Sequence, residues 1–370
     1  MHRYWALSVA LGTAGGCAAR EPTLTTPRSD DVQRPESRQV PALASSAAVV
    51  TGGPDLLTSS AAVNPAALTA VKDRAQPSAP VTSLAAPADV APPYARTAAA
   101  EDGHWQAFSL AASSAGPVKQ SQPLFWRTRL HPHPKTAYIV ADVVAIDLKR
   151  VKLEWVIGTG DTGNERLMPF MSPGLTADAG SVVAVFNGGF MARHGWWGQQ
   201  SHGQVLVPPK AHGCGVALFN DDRVQLGHYA PVAADAQLVS YRQTPPCLVD
   251  AGKLHSNLER GEDRAWAGKN DALATRRRSA LGISADGQTL YYLLGTETGA
   301  LDLARALITL GVSTGLQLDI NWNWTRFFLV GPDAKGRPSA QQPLLDSMVR
   351  DHGEYFTRPS QRDFFVVRLR

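Results

Sequence analysis

From Ala18 to Gln122 the chain lacks the means to build a core, which confines folding to what remains. Of these 105 residues 25 are alanine and 12 proline, and only Tyr94, Trp105 and Phe108 are aromatic. Recurrent proline breaks up long helices, and so little large apolar surface does not offset the entropy lost on ordering a backbone. Residues 17–122 therefore read as a disordered Ala/Pro/Ser/Thr-rich tether. The folded body is expected within residues 123–370, a length sufficient for one well-buried core.

Ahead of the tether, residues 1–16 have the layout of an export signal. His2 and Arg3 form a basic start, a weakly apolar stretch runs from Tyr4 to Thr13, and the small residues Ala14-Gly15-Gly16 precede Cys17. A cysteine directly after small residues resembles the bacterial lipobox, although Ala14 stands where leucine is usual. The expectation is an exported chain on the periplasmic side of the envelope, held in the membrane by a lipid on Cys17. Alanine rather than aspartate at position 18 points to the outer membrane. The alternative is an ordinary signal peptide cut further on. Outside the cytoplasm disulfides persist, so Cys214 and Cys247 form either a bridge or two buried thiols, and their spacing leaves both open.

The net charge is +4 and no Lys/Arg block is longer than Arg276-Arg277-Arg278, so nucleic acid is not an expected partner. Arg276 and Arg277 read as a solvated turn. No apolar run reaches the 18 residues of a membrane-spanning helix.

Residues 123–370 alternate β-like runs with Gly-rich turns. The runs predict strands at Tyr138–Leu148, Lys152–Ile157, Val182–Phe186, Gly215–Phe219, Gln237–Tyr241, Ala280–Ser284, Leu290–Leu294, Leu316–Asp319, Arg326–Val330 and Phe364–Leu369. One helix is expected where Leu301, Ala304, Leu307 and Ile308 recur at helical spacing, ended by Gly311. The fold class this predicts is α+β: a strand-rich single domain with a mixed sheet and one main strand–helix–strand crossover.

The crossover carries the chemistry. Ala285-Asp286-Gly287 makes a hairpin of Ala280–Ser284 and Leu290–Leu294, and the helix then leads to Leu316–Asp319. A strand, a helix and a strand of these lengths predict two parallel strands. Glu297 and Asp319 would then both lie past their carboxyl ends, the edge where open sheets place ligands. Two carboxyls there can fall within the separation used by glycoside-cleaving pairs. Glu297 equally suits the N-terminus of the helix. Asp319, after Leu316-Gln317-Leu318, is costly to bury without a partner. A second candidate is Asn187-Gly188-Gly189, whose glycines permit a sharp turn and close backbone approach and whose asparagine both donates and accepts hydrogen bonds.

In this order, Asn187-Gly188-Gly189-Phe190, Arg278-Ser279-Ala280-Leu281-Gly282 with the Asp286-Gly287 turn, the Leu301–Leu310 helix and Leu318-Asp319 resemble the motifs of the phosphodiester glycosidase family, which includes the lysosomal uncovering enzyme. The resemblance covers roughly residues 135–370. It implies cleavage between an anomeric carbon and a phosphodiester oxygen, with Asn187, Arg278 and Asp319 as site residues. The family pattern runs from the aspartate into Gly-Gly-Gly-Ser. Here Ile320-Asn321-Trp322-Asn323-Trp324 follows instead, which puts phosphate contact by that loop in question.

The chemistry is self-consistent. A phosphate monoester leaves as a stable anion without a proton, so the substrate needs cations for the phosphate and a carboxylate facing the anomeric carbon. Arg278 suits the first task and Asp319 the second, as base, nucleophile or oxocarbenium stabiliser. Trp197, Trp322 and Asn321 are candidates for sugar contact, and His202 for substrate or phosphate. His194, His202, His212 and His131-Pro132-His133 show no compact metal-ligand spacing, and no Walker or dinucleotide fingerprint is present. Neither a metal nor a cofactor is expected. The function expected is an exported hydrolase of sugar-1-phosphodiester bonds in envelope or extracellular glycopolymers. Its rival is a non-catalytic carbohydrate-binding lipoprotein on the same fold.

Overall fold

A computed structural model describes residues 86–110, 123–160, 181–267, 276–348, 353–356 and 359–370. The signal segment, Cys17 and the tether up to residue 85 lie outside the described residues.

Three sheets form the body, and they are antiparallel at every strand pairing. The first has the order β1 (Gln106–Ala107), β2 (Phe125–Leu130), β3 (Ala141–Asp147), β14 (Thr289–Thr298), β13 (Arg276–Ser284), β15 (Val312–Gln317), β11 (Val249–Asp250), β12 (Lys253–Leu254). The second runs β7 (Gln204–Val207), β6 (Gln199–Ser201), β10 (Leu238–Thr244), β8 (Cys214–Phe219), β9 (Val224–Gly227). The third runs β17 (Pro338–Pro343), β16 (Phe327–Pro332), β5 (Val182–Asn187), β18 (Phe364–Leu369), β4 (Val151–Val156). Among the helices, α1 (Ser256–Glu259) is a single turn and α2 (Ala300–Thr309) the longest.

Each of the ten expected strands has its counterpart, and the expected helix is α2. The class needs correction: the described fold is mostly β, and its main sheet is antiparallel rather than mixed. The strands flanking α2 do run the same way, because β14 and β15 are each antiparallel to β13. They are not neighbours, since β13 lies between them. Periodicity along β13 and β14 was equally compatible with either arrangement, because alternation reports which face is buried and not which strand lies alongside.

Alternation sorts the first sheet cleanly. Val144 and Ile146 of β3, with Leu281, Ile283, Tyr292 and Leu294, join Phe186, Phe327 and Phe365 of the third sheet in the main core. Val143, Ala145, Ala280 and Leu293 face the other way, onto Leu303, Ala304 and Leu307 of α2. The helix lies close on the sheet because Gly282 carries no side chain: a Cβ there would stand 2.5 Å from Leu307 Cδ2. Its ends follow ordinary capping. Asp302 accepts from Gly299 N at 3.0 Å at the start, and Gly311 takes φ 67° just past the end. Glu297 is therefore not the capping acid; it lies half-buried on β14.

The tether's boundary also moves. Residues 86–110 belong to the folded body: β1 pairs with β2, Phe108 is buried in the main core, and Trp105 packs on Tyr291 while donating to Ala88 O at 3.1 Å. Two of the three aromatic residues that seemed too few for a core are the anchors of this segment. A buried Asp102–His131 contact of 2.7 Å fastens it further.

Candidate functional site

The ends of β13, β15, β5 and β18 meet at one edge, and a single irregularity decides what is presented there. Ala280 faces Gln317 and Leu281 faces Leu316 in normal register. Beyond them Leu318 N donates to Ser279 O at 2.9 Å while Ser279 N donates to Asp319 O at 3.2 Å. Two residues thus stand against one, the form of a β-bulge. The extra residue takes Asp319 out of the strand's alternation.

Its carboxylate, 4% exposed, forms an ion pair with Arg362 and accepts from Ile320 N at 2.8 Å. Burial pushes the Asp319 carboxyl above the usual carboxylate range, against the opposing pull of Arg362. Trp324 packs on the cation of the pair, with its ring centroid 5.3 Å from the Arg362 guanidinium carbon and 5.1 Å from that of Arg326. His194, at the surface of a short 3-10 turn, feels both charges. Partial burial and then Arg362 lower its pKa, and Asp319 works the other way.

Next to this pair lies a second one. The Asp363 Oδ2 atom accepts from Arg242 Nε at 2.5 Å, Trp155 Nε1 at 3.0 Å and Gly189 N at 3.2 Å. Arg242 also donates to Phe190 O at 2.5 Å and Gln243 O at 2.7 Å. Gly188 is held against this carboxylate, donating to Asp363 O at 3.0 Å, and any Cβ on it would stand 2.3 Å from Asp363 Cγ. That contact explains the first glycine of the Asn-Gly-Gly turn. The turn is tied to the other pair too, since Asp319 N donates to Gly188 O at 3.1 Å.

Asn187 is a crosspiece rather than a free ligand. Its Nδ2 donates to Gly188 O and Ser279 Oγ, both at 2.9 Å, and its Oδ1 accepts from Tyr292 Oη at 2.8 Å and Arg326 N at 3.1 Å. The amide's full hydrogen-bonding capacity is engaged within the fold.

Arg278 does not join Asp319. Its Nε donates to Thr298 O at 2.9 Å, and its Nη1 to Trp266 O at 2.9 Å and Gln317 Oε1 at 3.0 Å. That is the face of β13 turned toward Trp266 and α2, whereas Ser279 and Leu281 face the main core. The cation beside Asp319 is Arg362, a residue that sequence reasoning missed. A signal was available: Arg362-Asp363 stands directly before the apolar run Phe364–Val367, as Asp319 stands directly after Leu316-Gln317-Leu318. Arg242, mid-strand in β10, carried no such signal.

The other candidates divide. Trp322 is 47% exposed at the rim, its carbonyl accepting from Arg277 Nη1 at 3.2 Å. Asn321 accepts from Asn323 N at 2.8 Å and from Thr325 Oγ1 at 2.7 Å, so it shapes the turn that follows Asp319. In that turn Trp324 packs on Arg362, whereas Trp322 packs on Arg277. Trp197 is buried against His212 and Lys210. His202 sits exposed in the β6–β7 turn at φ 48°. No described hydrogen bond or ion pair links Glu297, Trp197 or His202 to Asp319 or Arg362. Arg277, expected in a solvated turn, is fully buried in β13. A disulfide joins Cys214 and Cys247, with Cα atoms 4.9 Å apart. Among the described residues no group of three or more His, Cys, Asp or Glu is placed to hold a metal, and no helix is long and apolar enough to cross a membrane.

No family model and no curated protein matches the chain. Among solved structures it is similar to the catalytic domain of zebrafish N-acetylglucosamine-1-phosphodiester alpha-N-acetylglucosaminidase, at 11% identity and a TM-score of 0.44 over 72% of this chain and 88% of that one. A hypothetical protein from Synechocystis overlaps at 10% identity and a TM-score of 0.39, covering 66% of this chain and 62% of that one. Both overlaps are too loose to transfer a function, so the functional reading stands on the site.

Proposed function

We propose that the chain is an exported hydrolase that cleaves sugar-1-phosphodiester bonds, with Asp319 as its catalytic carboxylate. The observation that carries this reading is the placement of Asp319: buried, charge-paired to one arginine on which Trp324 packs, and released from the sheet by a bulge. A carboxylate held this way can face an anomeric carbon as nucleophile, base or electrostatic stabiliser. Its raised pKa keeps the charged form reactive rather than over-stabilised. Because a phosphate leaving group departs as a stable anion, the reaction needs no second acid, and Glu297 is not required. Export, with a lipid on Cys17, fits the Cys214–Cys247 bridge, a bond that persists outside the cytoplasm.

The test uses the full-length protein with a UDP-sugar and a synthetic sugar-1-phosphodiester, following release of the free sugar. Turnover by wild type that falls at least about a hundredfold in Asp319→Asn, assayed where that variant is still folded, is expected. No turnover by wild type on any such substrate, with glycan binding retained, supports the second reading, a non-catalytic carbohydrate-binding lipoprotein. One observation favours that alternative: both oxygens of Asp319 already have partners, Arg362 and Ile320 N.

A further inference from the structure

Arg277 carries a charge that no described acid neutralises. Its residue exposure is 0%, its Nη1 donates to Trp322 O at 3.2 Å and its Nη2 to Ser347 Oγ at 2.5 Å. Both acceptors are neutral, and the buried Nε has no acceptor at all. Three buried arginines do pair with acids: Arg242 with Asp363, Arg362 with Asp319 and Arg368 with Glu154. Burial alone lowers the Arg277 pKa, with no carboxylate acting against it. A buried cation without a counter-charge is costly, so its retention calls for a reason.

The surroundings supply one. The guanidinium is covered by the half-exposed Trp322 ring, 4.5 Å from its carbon, and by the exposed Ser347. Arg277 shares a face of β13 with Ser279, the face turned to Asp319, while Arg278 points the other way. Trp322 follows Asp319 by three residues, so at most about 11 Å of chain separates their Cα atoms. A planar guanidinium with an unused N–H, a hydroxyl neighbour and an aromatic cover is suited to bind an oxyanion.

We infer that Arg277 and Ser347, beneath Trp322, form a subsite for a phosphoryl group. The subsite rests on the hydrolase reading for the identity of its ligand, but not for the binding itself. Phosphate enters between Arg277 and Ser347, engages the Nε and Nη2 hydrogens together and accepts from the Ser347 hydroxyl, while Trp322 lies along the group attached to it.

Inorganic phosphate is the probe, titrated into the full-length protein against chloride at matched ionic strength, with thermal unfolding as the readout. Wild type is expected to gain stability saturably. Arg277→Met should weaken phosphate binding at least about tenfold, while the phosphate-free protein unfolds no earlier than wild type because a bare buried charge has gone. A structural arginine would behave oppositely, with early unfolding and an unchanged phosphate response, and that result overturns the inference. So does a wild type that ignores phosphate. Should Arg277→Met not fold, Arg277→Lys and Ser347→Ala decide the matter: each must weaken phosphate binding, and unchanged binding in both refutes the subsite. Phosphate binding that depends on Arg277 without sugar-phosphate turnover would sink the hydrolase reading and leave the subsite standing.

Discussion

Asp363→Ala tests whether the Arg242–Asp363 pair is what holds the Asn187-Gly188-Gly189 turn against the site. The carboxylate is fully buried, and one of its oxygens accepts from Arg242, Trp155 and Gly189. Truncation takes the Asp363 carboxylate away from the Arg242 guanidinium, itself 1% exposed. Breaking one side of a buried pair costs about 3–5 kcal/mol. The two orphaned N–H groups would each add about 1–3 kcal/mol if they stayed dry, but the space left by the carboxylate admits water to them, so the lower figure is the better expectation. Urea unfolding of the oxidised protein at neutral pH, followed by tryptophan fluorescence and extrapolated to water, measures this directly. The double variant Arg242→Met/Asp363→Ala should recover part of the loss, because the stranded charge is removed with its partner. A single variant within about 1 kcal/mol of wild type would refute the assignment of this pair as the structural holder of the turn.

Two further outcomes follow from the same structure. Reducing the Cys214–Cys247 bridge, or replacing both cysteines by serine, opens a loop of sequence separation 33. The chain-entropy relation gives about 3.7 kcal/mol for that length, and an unchanged urea midpoint would show that the bridge contributes nothing. For Asp319, burial raises the folded pKa above the ordinary 3.8. The stability this group contributes is therefore fully present below its unfolded pKa and is lost as pH rises through the folded value. If the ionised form does the chemistry, the acidic limb of kcat/KM lies above pH 3.8, and a limb at or below that value would contradict an ionising Asp319 as the reactive group.

How much of this was legible in the sequence depends on the range over which each feature is decided. Alternation along β13 and β14 and the helical spacing from Leu301 to Ile308 are local, and they gave element types without further information. The Asn187-Gly188-Gly189 turn and the unusual acid at Asp319 could be singled out for the same reason: a glycine pair and a carboxylate beside an apolar run need an explanation wherever they fold. Only the tertiary structure decided which strands are neighbours. It placed β13 between β14 and β15, and it added residues 86–110 to the body through Trp105 and Phe108. The bulge at Leu318-Asp319 was invisible as well, because one extra residue against Ser279 changes no residue type yet turns a side chain to another face. Arg278 consequently faces Trp266, Arg362 takes its place beside Asp319, and Arg277 is buried. Partner choice among charges depends on contacts between residues far apart in the chain, such as Arg242 with Asp363. Burial pattern alone ranks which groups must find a partner and leaves open which partner they find.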